Sequence, residues 1–445
     1  EFLQWQAHIV SEYKREDQFI THNFDYEWRF FGAPGQQDGY SGGLQPDMND
    51  WEAAKAVTLV GTDIYCPPCD RLTGVEIAFG GDLMRPLKRA PYIVLESQSQ
   101  AFTGWLPYPG QLRLMALSHL ASGACGVMYW PWASIHNGIE SYWKGILSHD
   151  GEPGETYAEV SRIGAELCEI APKLAGQRKR CRAAIIVSPE ALHALRRNPM
   201  DKGTGYNDVV MHIYRAVYEM NLECDVLYDR EPDWSGYDLL IFPTLYCCSD
   251  ELIGRVRAFV EAGGSVFATF RSFFADENLK IRNDRQPHGL TDVFGMHYSR
   301  FTKGEDGRWM ELLEADDCEV VSMYNHKYWS GYASATHHRF GSGHAWYLGA
   351  MSSVEEIGNL LQRVCASADI PLPVLRWPIV CRRLGSLLFI LNYSSEARRV
   401  PCPICGRVLS SGELVSVSEE LQLAEWDAII LEEAGARDKS PSDAG

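Results

Sequence analysis

Nowhere does the 445-residue chain hold the run of about 18 to 20 apolar residues that a bilayer-crossing helix requires. Its first residues form an amphipathic helical pattern, not a charged-then-apolar leader. Basic residues are the scarcer sign: 41 Lys and Arg stand against 59 Asp and Glu, a formal charge of −18. With no Lys/Arg cluster to hold a phosphate backbone or an anionic surface, nucleic acid and membranes are excluded as partners, and a neutral ligand fits better. No Gly-rich phosphate loop follows Val187, which removes the usual nucleotide cradle. Cysteine is not scarce but its count is odd, 13. Cys125, Cys168, Cys224 and Cys365 read as core thiols, a usage that points to a reducing cytoplasm. Cys66/Cys69 and Cys402/Cys405 each have the spacing of half a zinc site. They fall in different expected domains, and the first pair reads as a tight proline turn, so no metal is expected.

What is present is an ordinary soluble composition, 46% hydrophobic and 22% charged, with a generous 13 Trp and 21 Tyr. The length exceeds one hydrophobic core and predicts two large domains and a small third. The chain opens with Glu1 in the middle of a helical pattern, with Phe2, Trp5, Ile9 and Tyr13 on one face, and is expected to be part of a longer polypeptide.

Residues 1–180 repeat a unit of apolar run, polar-aromatic loop and helix four times. The runs are 18–24, 56–65, 91–96 and 126–130, and their near-continuous apolar character predicts parallel strands buried on both faces. Helices are expected at 51–54, 110–123 and 156–170. Four such units make half of an eight-stranded barrel or an open α/β sheet. A basic hinge at 177–180 leads into residues 181–373. There the strands 183–187, 238–243 and 265–269 alternate with helices 209–220 and 251–262, a doubly wound, flavodoxin-like α/β pattern. Short alternating strands at 387–392, 400–403 and 428–431 predict a small antiparallel β domain over 374–433, followed by a disordered tail, 434–445.

Glu96 is the most informative residue. It directly follows Tyr92-Ile93-Val94-Leu95, at the carboxyl end of a buried parallel strand, which is where barrel enzymes keep catalytic groups. A strand-end Glu also often simply meets solvent, so its neighbourhood carries the argument. The loop after it (Gln98, Gln100, Phe102, Trp105) and the next one (Trp130, Trp132, His136, Asn137, Glu140, Tyr142, Trp143) mix aromatic faces with hydrogen-bonding groups. A pyranose demands that mixture, since it presents apolar C–H faces and hydroxyls that need directional partners. In the second domain Cys247 lacks the Gly-flanked elbow of an exposed nucleophile. His337, His338 and His344 read as solvated strand residues, not as metal ligands.

Over residues 1–150, and above all in GQLRLMALSHLASGACGVMYWPW (110–132) and GIESYWKGILSH (138–149), the chain resembles glycoside hydrolase family 42. Weaker likeness continues to the C-terminus. The resemblance implies an α/β architecture: the C-terminal half of a (β/α)8 TIM barrel, strands five to eight, then a flavodoxin-like domain that builds a homotrimer, then a small antiparallel β domain. It implies Glu96 as nucleophile, Trp105 beside the sugar, Glu140 on galactose hydroxyls and Tyr65 in contact with the nucleophile. Trp132 and Trp143 are further candidate substrate contacts. Where many members have a His three residues after Glu140, this chain has Trp143, which leaves sugar preference open among β-galactosides, related β-glycosides and arabinopyranosides.

The implied reaction is retaining hydrolysis of terminal β-galactosides without a cofactor. The family's general acid would lie just upstream of the first helix, so the chain alone is expected to be inactive, and its outer strands are expected to be open edges. The rival reading is a non-catalytic carbohydrate-binding or oligomerisation fragment.

Overall fold

The computed structural model describes residues 1–30, 39–100, 105–199, 204–304 and 307–434. Phe102 and all of the expected tail beyond Ala434 lie outside them. The chain divides into two compact units. One comprises residues 1–180, 218–221 and Pro373 onward; the other comprises 181–217 and 222–372.

The first unit begins with helix α1 (Phe2–Tyr13), of which only Ala7 is buried. The apolar face read from the sequence forms, but it faces outward: Phe2 is 70% and Trp5 58% exposed. Four parallel strands follow, β1 (Asn23–Phe24), β4 (Gly61–Asp63), β5 (Tyr92–Glu96) and β6 (Ala124–Val127), in that spatial order. A two-stranded hairpin, β2 (Trp28–Phe30) with β3 (Gly39–Ser41), is inserted after β1. Helices α2 (Asp50–Ala53), α3 (Val75–Met84), α4 (Gln111–Ala121) and α5 (Glu155–Leu174) complete the segment. The order of units matches the sequence expectation, but the strands are shorter. Only two residues of 18–24 and three of 56–65 pair, and the last strand ends at Val127, not at Trp130. The unpaired apolar residues beside these ladders are in part exposed, among them Phe19, Met128 and Trp130. α3 was not read from the sequence: its ten residues are all buried, so it has no polar face to mark a helical period.

Two of the four expected core thiols are corrected. Cys224 and Cys365 are buried, but Cys125 and Cys168 are exposed. Cys125 lies on β6, which has a neighbour on one side only, and Cys168 lies on the outer face of α5. All thirteen cysteines are free.

The second unit is a seven-stranded mixed sheet. Its strands are β7 (Ala183–Val187), β8 (Cys224–Tyr228), β9 (Leu239–Phe242), β10 (Ser265–Thr269), β11 (Glu319–Met323), β12 (Ala333–Phe340) and β13 (Gly343–Leu348). The spatial order is β11-β12-β13-β10-β9-β7-β8, with the last five strands parallel. Each of β7, β9 and β10 is buried throughout, as strands covered on both faces must be. His337 and His344 are not merely solvated. Their ring nitrogens meet at 2.9 Å, and His337 stacks on Trp346 with centroids 4.1 Å apart.

Glu311 is fully buried here. Its Oε1 accepts from the Arg271 backbone N–H at 2.7 Å and its Oε2 from Tyr347 Oη at 2.8 Å. Burial, only partly offset by these donors, pushes its carboxyl up to about 7. An acid whose folded value is raised holds its proton longer than in the unfolded chain, so its stabilisation is complete below about pH 4.5 and is lost as pH rises towards 7. A shift of that size corresponds to on the order of 3 kcal/mol. Glu311→Gln is expected to flatten the fall in melting temperature between pH 5 and 7. An unaltered pH slope in calorimetry would contradict this.

The strands beyond Pro373 belong to the first unit. Ile379–Leu384, Leu387–Asn392, Ala428–Glu433, Gly406–Val408 and Leu414–Val415 lie side by side in that order, antiparallel. They pack on α4. Asp82 of α3 is bound there by Arg382, whose Nη2 lies 2.7 and 2.8 Å from its two oxygens, and by Arg85 at 3.1 Å.

Candidate active site

β4 and β5 pair in parallel, but the register slips by one residue so that Thr62 faces Val94 and Asp63 faces Glu96. Such a bulge re-aims the side chains at a strand end. Here it puts two carboxyls side by side on one face. Tyr65, two residues beyond Asp63, shares that face by the alternation of extended chain, and its hydroxyl donates to Glu96 Oε2 at 2.9 Å. On the other flank Asn23 Nδ2 donates to Glu96 Oε1 at 3.3 Å and to the two oxygens of Asp63 at 3.0 and 3.1 Å.

The electrostatics follow from crowding. Burial, and then the Glu96 charge, push the Asp63 carboxyl up to about 7, against the Asn23 hydrogen bond. Burial also raises Asp25, on the β1 side, with Glu96 adding to it and the Tyr26 N–H opposing. The Tyr65 hydroxyl is driven far above its ordinary value, first by burial and then by Glu96. At neutral pH it is a hydrogen-bond donor and not a base.

Aromatic walls complete the site. Tyr65 meets Trp143 edge-on at 5.5 Å and Trp28 edge-on at 5.5 Å. Trp28 is carried by the β2–β3 hairpin, which is tied to the barrel strand by Tyr65 N–H to Ser41 Oγ, 3.1 Å, and Ser41 N–H to the Tyr65 carbonyl, 2.9 Å. A Cβ at Gly39 would lie 2.1 Å from the Trp28 indole nitrogen, so a larger residue there would displace the Trp28 ring.

Of the residues expected from the sequence, Glu96, Tyr65 and Trp143 are brought together. Trp105 is buried. Its carbonyl accepts Lys144 Nζ at 2.5 Å, which straps the loop after β5 to the loop after β6, and its indole N–H has no partner among the described residues. Trp132 is instead exposed and packs edge-on against Tyr157 of α5. The Glu140 carbonyl accepts the Trp143 N–H at 2.8 Å, while its carboxylate makes no hydrogen bond or ion pair among the described residues. Gln98 and Gln100, expected to face the ligand, are buried scaffolding. Gln98 clamps the Cys66 backbone at 3.2 and 2.8 Å, and Gln100 donates to the Gly145 carbonyl at 2.9 Å. Buried amides in a loop must satisfy themselves on nearby backbone. Asn23, Asp25, Asp63 and Trp28 were missed. The alternation that pairs Asp63 with Tyr65, and Asn23 with Asp25, was available in the sequence; the hairpin that delivers Trp28 was not.

Among the described residues no group of three His, Cys, Asp or Glu side chains is arranged to hold a metal ion, and no helix is long and apolar enough to cross a membrane.

The class follows first: a TIM-barrel-type α/β chain with additional β domains, bearing a strand-end carboxylate bound by a tyrosine that two tryptophans flank. Comparison with known proteins narrows it. The family model described as beta-galactosidase matches residues 1–170, and the one described as beta-galactosidase trimerisation domain matches residues 181–371. The chain belongs to glycoside hydrolase family 42. It is 25% identical to β-galactosidase LacZ of Heyndrickxia coagulans, over 80% of this chain and 57% of that one. To a β-galactosidase of an Arthrobacter species it is 27% identical, over 79% and 54% respectively. It thus spans little more than half the length of these curated relatives. The solved β-galactosidase of Bacillus circulans sp. alkalophilus superposes with a TM-score of 0.85 at 22% identity, covering 97% of this chain and 66% of that one. That of the Antarctic haloarchaeon Halorubrum lacusprofundi does so with 0.84 at 21%, with the same coverage. These two likenesses establish the fold.

Proposed function

We propose that this chain supplies the nucleophile to a retaining glycosidase of terminal, non-reducing β-D-galactosides. The observation that carries the reading is the hold on Glu96: one carboxylate oxygen takes the Tyr65 hydroxyl at 2.9 Å and the other the Asn23 amide at 3.3 Å, and the Tyr65 ring itself packs edge-on against Trp143. The β5 end lies within the segment that the β-galactosidase family model matches.

Glu96 attacks the anomeric carbon. The carbon–oxygen bond to the leaving group breaks, and a general acid protonates the departing oxygen. The resulting ester is then hydrolysed by water with overall retention. A retaining pair stands about 5 to 5.5 Å apart. In this reading the acid comes from the strands that precede these four in a complete (β/α)8 barrel, so these 445 residues are inactive by themselves. Trp105, Glu140 and Trp143 line the sugar site, and the chemistry uses no cofactor.

Residues 1–180 then form the C-terminal half of the barrel, 181–373 a flavodoxin-like domain, and 374–433 the small β domain. The order β8-β7-β9-β10-β13 supports the flavodoxin-like reading. The matched trimerisation model supports a homotrimer, and thirteen free cysteines suit the cytoplasm.

The test is trapping. 2,4-Dinitrophenyl 2-deoxy-2-fluoro-β-galactoside leaves without acid assistance and should add one fluorosugar to the complete protein, recovered on the peptide bearing Glu96. Label on another carboxylate, or none at all, rules the reading out.

A further inference from the structure

Resting on the assignment of Glu96 as nucleophile, we propose that Asn23 and Asp63 are a positioning pair: Asp63 fixes the orientation of the Asn23 amide, and the amide fixes the carboxylate oxygen of Glu96 opposite Tyr65.

The argument is one of hydrogen-bond bookkeeping. A glutamate carboxylate has three rotatable bonds, and an attacking oxygen that strays by about 1 Å can lose about 100-fold in rate. Tyr65 holds Oε2 but leaves the carboxylate free to pivot about that single contact. Asn23 holds Oε1 and stops the pivot. An asparagine amide presents two N–H donors on one side and a carbonyl on the other. Asn23 is exposed, so packing alone does not decide which side faces Glu96. Asp63 decides it: both its oxygens lie within 3.1 Å of Nδ2, and a flipped amide would turn its carbonyl towards two acidic groups. The register slip between β4 and β5 serves this arrangement, because without it Asp63 would pair with Leu95 and face away from Glu96.

The groups facing Asp63 are Asn23 and Asp25 from the β1 side, Glu96 from β5 and Tyr65 from just beyond the end of its own strand. Its carboxyl, pushed up to about 7 by burial and Glu96, carries only part of a negative charge near neutrality. It therefore accepts from Asn23 without placing a full second charge beside the nucleophile.

Two measurements on the complete protein test the pair. In fluorosugar trapping, Asp63→Ala should slow the labelling step about 10- to 100-fold while the inhibitor's dissociation constant stays within about 3-fold. Asp63→Asn, which still offers one acceptor to Asn23, should recover most of that loss. Wild-type labelling of Glu96 combined with wild-type rates in Asp63→Ala would overturn the pair and leave the nucleophile standing. The second measurement involves no turnover: a carbon-13 titration of the Asp63 carboxyl. Glu96→Gln should lower its midpoint and Asn23→Ala should raise it. A midpoint unmoved in both variants overturns the pair whatever trapping shows.

Discussion

In the complete protein, Glu96→Ala is expected to lower turnover of an aryl β-galactoside by about 10⁴ to 10⁶-fold, the loss typical when a covalent nucleophile is deleted, with no loss of thermal stability. The two halves of that expectation come from the same geometry. Only the Tyr65 hydroxyl and the Asn23 amide bind the Glu96 side chain among the described residues, so its removal frees two groups that water reaches or that can turn to each other. It also removes one of three crowded acids, since Glu96 raises both Asp63 and Asp25. Sites tuned for chemistry commonly store instability in this way, and the variant should melt at or slightly above the parent temperature. Formate or azide should restore part of the turnover by entering the space the carboxylate leaves, and the trapped product should have the α configuration because a single displacement inverts. A variant that keeps more than about a tenth of wild-type activity, far above the nucleophile-loss range, would refute the assignment. So would one that loses activity only because it unfolds.

Asp82→Ala should destabilise the first unit by about 3 to 5 kcal/mol, the cost of leaving buried charge unpaired. Asp82 is 0% exposed and its partners Arg382 and Arg85 are 4% and 8% exposed. Burial by itself would raise the Asp82 carboxyl, but the Arg382, Arg85 and Lys179 charges outweigh it and hold it below the ordinary aspartate value. A depressed acid stabilises fully above its unfolded value of 3.8 and loses that contribution as the pH falls below it. The wild type should therefore show an acid-side loss of stability that Asp82→Asn lacks. The melting transition of the first unit should fall by on the order of 10 °C in Asp82→Ala. Breaking the cluster differs from replacing it: Asp82→Leu together with Arg85→Met and Arg382→Met removes all the buried charge and should recover most of the loss. If the single variant melts within about 2 °C of wild type, less than the shift from 1 kcal/mol, the cluster contributes little and the pairing of α3 with the C-terminal sheet rests on apolar packing.

The sequence by itself determined the succession of the four parallel strands in residues 1–180, the family, and the position of Glu96 at a strand end, because these depend on local periodicity and on short-range motifs. Apolar runs bounded by polar loops identify parallel strands wherever they pair, and Glu96 closes such a run. Tyr65 was legible through the family resemblance, and Trp143 through the aromatic-polar loop that follows β6. What only the tertiary structure decided depends on contacts between distant segments. The one-residue slip between β4 and β5 turns Asp63 towards Glu96, and nothing in either strand announces it. The inserted hairpin brings Trp28 to Tyr65 from 37 residues upstream in sequence terms. Gln98 and Gln100 have the same side-chain chemistry whether they meet a sugar hydroxyl or a backbone amide, and burial assigned them to the backbone. The same limit explains Trp132, Cys125 and Cys168: residue type sets what a side chain can bond, but its neighbours are fixed only when strands from the rest of the chain close around it.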